Sequence, residues 1–443
     1  MNGDRSAVPE EQRINMSCGQ TPLSPACLVA IGKQLVEPVY YTHYPVIEKE
    51  TCIMLKRLLN TGNGPMLIPG SAVYGLEAAM LGTVESGDRV LTVQNGVFGR
   101  LLTELARFAG GDTTEIDLEE GQSVDPDTIR RHLLGDPDIR QVALVHCETT
   151  TGTLNPIEAI GRMLMDEFPH VIYMVDCVSS FGGVEVRVDD WGIDLLVTTT
   201  QKCLNAPQGL AIVVASEKAW DKIENLRSAP RAMCLDLHSW RRYGMEGGAA
   251  MGYDTLEKGA VPRARKPHPR DWPVHGPHAS YTLVVGLHAS LKAIMEEGPE
   301  KVYRRQHVAS RAVHAALRAL GLGIVAATEA SAAPVATRIA LPDHLDSTEL
   351  NRILFEEHGI ALSSLARIGT MGFMAVPEHV LRTISALEQA LDDMGWSVDE
   401  GAGVAAAQAV FERSEVFSGR NQTASPRIPR PGPRRTRPSR PPP

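Results

Sequence analysis

One lysine stands between two apolar runs, where a charged side chain is costly. Lys202 follows the run DLLVTTT, and the turn-rich NAPQG and a second apolar run, LAIVVAS, come shortly after it. Burial of an ammonium group away from water is unfavourable unless a partner compensates for it. Either Lys202 ends a strand and extends its amine into water, or the amine is kept at this position for chemistry.

An aspartate at the end of another apolar run gives that chemistry a second group. Asp176 ends the run VIYMVD, about one loop and one strand before Lys202. Ligands of open α/β sheets bind at such strand ends. A lysine that forms a Schiff base and a carboxylate that keeps a pyridinium nitrogen protonated together point to pyridoxal 5′-phosphate. Taken alone, Asp176 is also explained as the cap of the loop after its strand.

The phosphate of that cofactor needs backbone N–H donors, and one helix start offers them. Gly70, Ser71 and Ala72 lie at the start of the apolar helical stretch in PGSAVYGLEAAML. Free N–H groups at a helix N-terminus, aided by a serine hydroxyl, suit a phosphate. The same Gly-Ser pair is also an ordinary helix N-cap.

Apolar runs alternate with amphipathic segments from about residue 70 to residue 216. The runs lack polar alternation, as strands buried on both faces do. They are RVLTVQN (89–95), QVALVHCE (141–148), VIYMVD (171–176), DLLVTTT (194–200) and LAIVVAS (210–216). Helix-like segments separate them, so the sequence predicts an α/β fold with a mostly parallel sheet between two layers of helices.

The pattern also predicts how the chain divides. The large domain includes an N-terminal segment that contributes to the small domain, and a loop-rich insertion near 241–278. The predicted parts are a flexible leader (1–17), the large domain (18–298), a small C-terminal α/β domain (299–400) and a disordered Pro/Arg-rich tail (401–443). Residues 420–443 hold seven arginines, eight prolines and no acidic residue, a composition that cannot bury a core.

Charge, hydropathy and cysteine usage exclude several classes of function. The net charge is −9, and without the seven arginines of the tail it is about −16, which does not suit a nucleic-acid partner. No apolar run approaches the roughly 18 residues of a membrane span. Seven scattered cysteines without CxxC spacing argue against a zinc site or a disulfide framework. We expect a cytoplasmic protein without metal, nucleic-acid or membrane partners.

Four motifs resemble, in order, those of class V pyridoxal-phosphate-dependent aminotransferases. They are HCETTTGTLNPI (146–157), VDCVSSFGG (175–183), TTTQKCLNAPQGL (198–210) and ARIGTMG (366–372). They are most similar to the alanine–glyoxylate branch, which includes the 2-aminoethylphosphonate–pyruvate and pyridoxamine–pyruvate transaminases. The resemblance covers most of the chain. It implies an aspartate-aminotransferase-like large domain (fold type I) with a mostly parallel seven-stranded sheet, and a smaller C-terminal α/β domain.

The resemblance also implies residue roles. Lys202 matches the Schiff-base lysine, Asp176 the partner of the pyridine nitrogen, and Arg367 the arginine that takes the substrate carboxylate, whose shape its fork suits. The other cofactor-binding positions, which match contacts to the ring, its 3′-oxygen or the phosphate, are Ser71, Ala72, Val73, Phe98, Thr149, Val178, Gln201 and His275. In relatives, a threonine at this position reaches the phosphate of the neighbouring subunit's cofactor. Because this chain has His275 there, the contact between subunits is left open.

The implied activity is transfer of an amino group, in two half-reactions, from an amino acid or primary amine to pyruvate or glyoxylate. The implied assembly is a homodimer, and the sequence leaves the donor unresolved. A lyase or desulfurase on the same cofactor is the alternative, and a non-catalytic cofactor-binding protein is a further one. Class V desulfurases need a nucleophilic cysteine on a mobile loop beyond the lysine, in the C-terminal half; here the last cysteine is Cys234, and none follows it.

Overall fold

The computed structural model describes residues 8–33, 43–227, 232–243 and 280–417. Within these ranges we number the strands in chain order. They are β1 (Ile14–Asn15), β2 (Met66–Pro69), β3 (Arg89–Gln94), β4 (Asp112–Asp117), β5 (Ile139–Val145), β6 (Cys147–Glu148), β7 (Thr153–Leu154), β8 (Ile172–Asp176), β9 (Leu195–Thr199), β10 (Leu210–Ala215), β11 (Gly323–Ile324), β12 (Ala336–Ala340), β13 (Ile360–Ala361) and β14 (Arg367–Gly369).

The helices of the same ranges are numbered in the same way. They are α1 (Pro25–Ile31), α2 (His43–Leu59), α3 (Ala72–Thr83), α4 (Val97–Phe108), α5 (Pro126–Gly135), α6 (Ile157–Glu167), α7 (Glu217–Glu224), α8 (Leu237–Tyr243), α9 (Tyr281–Glu297), α10 (Pro299–Ala319), α11 (Ser347–His358), α12 (Pro377–Asp393) and α13 (Ala402–Glu412). Short 3₁₀ turns occur at Glu10–Gln12, Met233–Leu235 and Gly372–Met374. Among the described helices, none is both long and apolar enough to cross a membrane.

Seven strands form the central sheet in the order β2-β10-β9-β8-β5-β3-β4. Only β10 runs antiparallel to its neighbours, β2 and β9, and all other pairs are parallel. Because β2 and β9 both oppose β10, they run in the same direction. The carboxyl ends of β2, β3, β5, β8 and β9 therefore lie at one edge of the sheet. The predicted α/β fold with a mostly parallel seven-stranded sheet is confirmed.

Each central strand is buried on both faces because its side chains alternate between two apolar cores. On β8, Tyr173 and Val175 join one core, whereas Ile172 and Met174 join the other. All residues of β8, β9 and β10 are buried. This double burial explains the continuous apolar runs in the sequence, since a polar side chain on either face would lie inside a helix-covered core.

A second unit of sheet and helices, here called the C-terminal layer, follows α9 in the chain. Strands β11, β12 and β14 form an antiparallel three-stranded sheet, and helices α10 to α13 pack with it around a separate core. Strand β1 pairs in parallel with β13, so residues 14 and 15 join this C-terminal layer.

The structure differs from two of the predicted boundaries. Within the predicted leader 1–17, Ile14 and Met16 are buried and β1 is paired, because this segment fills the edge beside β13. Within the predicted tail 401–443, the alanine-rich residues 402–412 form α13, which packs on α10 and α12 through buried Phe411. The division into domains 18–298 and 299–400 stays a prediction, and most of the 241–278 segment lies outside the described residues.

Helix α6 lies so close to the loop before β9 that it tolerates only glycine at one position. A Cβ atom on Gly161 would lie 1.8 Å from the Trp191 carbonyl oxygen. We predict that Gly161→Ala lowers the free energy of unfolding by roughly 1–3 kcal/mol, the usual cost of overpacking. Gly135→Ala, at the end of α5 with no atom within 4 Å of its Cβ, is the matched control. Equal urea midpoints for the two variants would contradict the prediction.

Candidate active site

Lys202 lies in the turn after β9 and is partly buried. Its Nζ donates a hydrogen bond of 2.6 Å to the carbonyl oxygen of Cys18, which reaches the site from the N-terminal segment. Burial lowers the pKa of the Lys202 amine, and the nearby charge of Arg367 acts in the same direction. The amine is therefore more readily neutral than that of a surface lysine.

Asp176 ends β8, the strand directly beside β9. Its carboxylate is buried, and Oδ1 accepts a hydrogen bond of 2.8 Å from the backbone N–H of Val178. The pKa of Asp176 is raised to about 7, mainly by burial; the Val178 hydrogen bond and the charge of Lys202 oppose this rise, and the charge of Glu148 adds to it. The structure thus brings Asp176 and Lys202 into electrostatic contact, at the adjacent strand ends that the sequence indicated.

A second buried carboxylate, Glu148, joins helix α4 to the β6–β7 hairpin. Its Oε2 accepts hydrogen bonds from the backbone N–H groups of Phe98 (2.9 Å) and Gly99 (3.2 Å). Its Oε1 accepts from the N–H (3.0 Å) and the hydroxyl (2.6 Å) of Thr150. A negative charge suits the N-terminus of a helix. Glu148 therefore fixes both Phe98 and the turn that contains Thr149.

The N-terminus of α3 lies at the same edge of the sheet. Ser71 occupies the N-cap position, but its side chain makes no capping hydrogen bond to the helix. The first N–H groups of any α-helix have no partner within the helix, and here they belong to Ala72 and Val73. Gly70 precedes them with φ 141°, and a Cβ atom there would lie 2.7 Å from the Tyr74 ring.

Gln201 links the lysine turn to the end of β9. Its side-chain Oε1 accepts a hydrogen bond of 2.6 Å from the Thr199 hydroxyl. Its carbonyl oxygen accepts a hydrogen bond of 3.0 Å from the Thr21 N–H. In the sheet, β10 lies between β9 and β2, which run in the same direction, so Gln201 and Ser71 lie at the same edge.

Arg367 reaches this edge from β14 of the C-terminal layer. Its guanidinium donates to the Thr149 carbonyl oxygen at 3.1 Å and to the carbonyl and hydroxyl oxygens of Ser364 at 2.8 and 3.2 Å. Within the described ranges no carboxylate lies within ion-pair distance of it. Leu365 and Ala366, just before it, both have positive φ values, of 62° and 49°. A cationic fork without an anionic partner can accept a carboxylate from solution.

The remaining predicted site residues differ in their exposure, and one of them is not described. Phe98 and Val178 are partly buried, and Val73 is exposed. His275 lies outside the described residues. Sequence reasoning missed the contacts of Cys18 and Thr21 with the lysine turn, and no local pattern marks either residue.

Comparisons with known proteins agree with this geometry. The family model described as aminotransferase class-V matches residues 70–245. A pyridoxamine–pyruvate transaminase of Mesorhizobium japonicum is 30% identical, over 90% of this chain and 96% of its own length. A (S)-ureidoglycine–glyoxylate transaminase of Bacillus subtilis is 30% identical, over 94% of this chain and 99% of its own length.

Solved structures give the same answer for the fold. The pyridoxamine–pyruvate aminotransferase from Mesorhizobium loti superposes with a TM-score of 0.80 at 29% identity, covering 92% of this chain and 99% of that one. The ureidoglycine–glyoxylate aminotransferase from Bacillus subtilis gives 0.79 at 29% identity, covering 92% of this chain and 100% of that one. The chain therefore belongs to the class V aminotransferases, which are pyridoxal-phosphate enzymes of fold type I.

Proposed function

We propose that this aminotransferase moves an amino group from an amino acid or primary amine to pyruvate or glyoxylate, with Lys202 holding the cofactor covalently. The observation that carries the proposal is the convergence of Lys202, Asp176 and Arg367 at one edge of the sheet. The acceptors follow the relatives, whose names specify pyruvate or glyoxylate.

The residues at this edge fit a phosphorylated pyridine. Ser71 and the first N–H groups of α3 form a donor set suited to a phosphate. Asp176 is a buried acid with only one backbone donor described, so a cationic ring nitrogen would complete its environment. We propose that Phe98 and Val178 contact the ring faces, and that Thr149 bonds the 3′-oxygen. The phosphate ligands would be Ser71, Ala72, Val73 and Gln201.

The side chains then divide the work of amino transfer. When bound, the cofactor supplies an aldehyde for the covalent link and a cationic ring that withdraws electrons from the α-carbon. Arg367 binds the carboxylate of the donor or acceptor through its fork. Once the donor's amine has displaced it from the cofactor, the free Lys202 amine, with its lowered pKa, would take the proton from the α-carbon of the donor and pass it to the cofactor. In the second half-reaction the same amine returns a proton to the carbon derived from the acceptor.

A desulfurase is disfavoured by where the cysteines lie. Cys147, Cys177 and Cys203 are buried beside motif residues, and burial raises the pKa of each thiol. A buried neutral thiol is a poor nucleophile.

We also propose a reducing, cytoplasmic location, which the seven free cysteines support.

We further propose a homodimer, because several large apolar side chains are exposed on neighbouring helices. Leu28 and Val29 of α1 and Val46 and Ile53 of α2 are each at least half exposed. Both helices pack on α9, so these side chains belong to one helical layer. Obligate dimers bury about 2,000 Å² or more of such surface.

Replacing the lysine tests the covalent role. We expect Lys202→Ala to lower kcat about a thousandfold, since a positioned general base contributes roughly 10²–10⁴-fold. Borohydride treatment of the wild type with pyridoxal phosphate should leave a reduced adduct on the Lys202 peptide, read by mass spectrometry. Lys292→Ala, on an exposed part of α9, is the control and should keep both activity and adduct. A wild type without an adduct at Lys202 would refute this role.

The pKa of Asp176 predicts a pH dependence of stability in the cofactor-free protein. The folded state, with a pKa of about 7, holds the proton more tightly than the unfolded chain, whose value is near 3.8. The stabilising contribution of Asp176 is therefore complete below about pH 4 and is lost as pH rises to about 7. Relative to wild type, Asp176→Asn should become more stable over that range by on the order of 2–4 kcal/mol.

Urea unfolding of both proteins from pH 4 to 8 measures this difference. Loading the wild type with pyridoxal phosphate is the control, because a cationic ring nitrogen would stabilise the Asp176 carboxylate and reduce the loss at higher pH. Parallel stability curves for the two cofactor-free proteins would show that Asp176 does not titrate in this range.

The dimer is tested by placing charges on the exposed helical layer. We expect the double variant Val29→Glu, Ile53→Glu to be monomeric by light scattering, because an interface core does not tolerate two unpaired carboxylates. Leu134→Glu, at an equally exposed site on α5, should leave the wild-type dimer intact. A monomeric wild type would count against the dimer.

A further inference from the structure

Asn205 lies three residues after Lys202 and closes the lysine turn. It is buried, and its N–H donates to the Lys202 carbonyl oxygen at 3.0 Å. Its φ of 48° is left-handed, a conformation that asparagine tolerates better than most residues. The next residue completes the turn, since the Ala206 N–H donates to the Thr200 carbonyl oxygen at 3.0 Å.

One end of the Asn205 amide contacts the N-terminal segment. Nδ2 donates to the Thr21 hydroxyl at 2.8 Å, and that hydroxyl lies 2.8 Å from the Lys202 carbonyl oxygen. A threonine hydroxyl accepts and donates at once, so Thr21 relays the amide to the backbone of Lys202. Cys18, on the same segment, accepts the hydrogen bond of the Lys202 amine.

The other end of the amide contacts the turn that follows Arg367. Oδ1 accepts a hydrogen bond of 2.9 Å from the backbone N–H of Phe373. Because a backbone N–H can only donate, this contact fixes which end of the amide faces which segment. At Gly372, where φ is 56°, a Cβ atom would lie 1.5 Å from this oxygen, so the approach requires glycine.

The Gly372 turn is itself held by α10. The Gly372 N–H donates to Gln306 Oε1 at 2.8 Å, and the Gly372 carbonyl oxygen accepts from Arg305. Gln306 and Arg305 are both buried, so the turn has little freedom to move away from Asn205. Through one side chain, the lysine turn is thus joined to the C-terminal layer that carries Arg367.

We propose that Asn205 is a positioning residue, which sets Lys202 relative to Arg367 by bonding the N-terminal segment and the Gly372 turn at the same time. This inference rests on the proposed function for its meaning in catalysis. The amine would act on the α-carbon of a substrate whose carboxylate Arg367 holds. An error in the spacing between these two groups therefore reduces the rate directly, and misplacement by about 1 Å can cost about a hundredfold.

Asn205→Gly removes the amide but keeps the left-handed backbone conformation. We expect kcat to fall about ten- to a hundredfold and the KM for the amino donor to rise about tenfold. Asn60→Gly is the matched control, because Asn60 also has φ 48° but is exposed and bonds Asp190 away from the site. It should keep wild-type kcat and KM.

Two measurements on the cofactor-free protein separate positioning from a loss of stability. Acylation of Lys202 as a function of pH, followed by mass spectrometry, should shift toward the behaviour of an ordinary lysine in Asn205→Gly. Deuterium exchange should rise in peptides covering residues 369–376 and 18–24. These readouts need no cofactor, so they still decide the positioning role if Lys202 proves not to hold one.

Two further variants keep the test decisive if Asn205→Gly does not fold. Asn205→Asp keeps an acceptor for Phe373 but removes the donor to Thr21, so exchange at 369–376 should stay slow while the Lys202 acylation profile shifts. Thr21→Val removes the relay and should shift that profile in the same way. Wild-type acylation, exchange and kinetics in the variants that fold would overturn the proposal.

Discussion

The site depends on one constraint, the withdrawal of a lysine amine from water at the end of a buried strand. The Lys202 amine has a carbonyl partner, that of Cys18, and burial lowers its pKa. The thiols of Cys18, Cys147 and Cys203 belong to one buried cluster close enough to interact electrostatically with the amine, and burial raises the pKa of each, so they are neutral there. A thiolate there would hold the amine as an ammonium ion. The neutral thiols leave it available as a nucleophile and base.

Two buried carboxylates at this edge of the sheet differ in how many hydrogen bonds they accept. Glu148 accepts four hydrogen bonds from α4 and Thr150, which stabilise a charge in the interior. Asp176 accepts one described hydrogen bond, from Val178, and its pKa rises to about 7. The first carboxylate therefore has a structural partner set, whereas for the second we proposed a cationic partner on the cofactor. This difference is consistent with a structural role for Glu148 and with the proposed ligand-binding role of Asp176.

The sequence predicted the parts of the fold that depend on local pattern. Double burial makes β8, β9 and β10 continuous apolar runs, so these strands and the residues at their ends, Asp176 and Lys202, were predictable. Arg367 was found only through the family resemblance, since β14 is three residues long and has no periodicity. The bond between Cys18 and Lys202 joins residues far apart in the chain, and nothing near Cys18 marks it. Helix α13 was not predicted, because the disordered tail expected from the basic last residues was placed too early, from residue 401. The alanine-rich start of that range can bury Phe411 and form a helix.

Strain in the C-terminal layer lies where the substrate carboxylate is expected to bind. Leu365 and Ala366 have positive φ values without being glycine, and such conformations persist only where surrounding contacts determine them. Two such contacts follow them in the chain. Arg367 bonds the Thr149 carbonyl oxygen in the β6–β7 turn, and the Gly372 turn is fixed by Asn205 beside the lysine. The segment after the strained residues is thus tied at two points to the elements around Lys202. A rigid link of this kind suits amino transfer, because the two groups must act on neighbouring atoms of one small substrate.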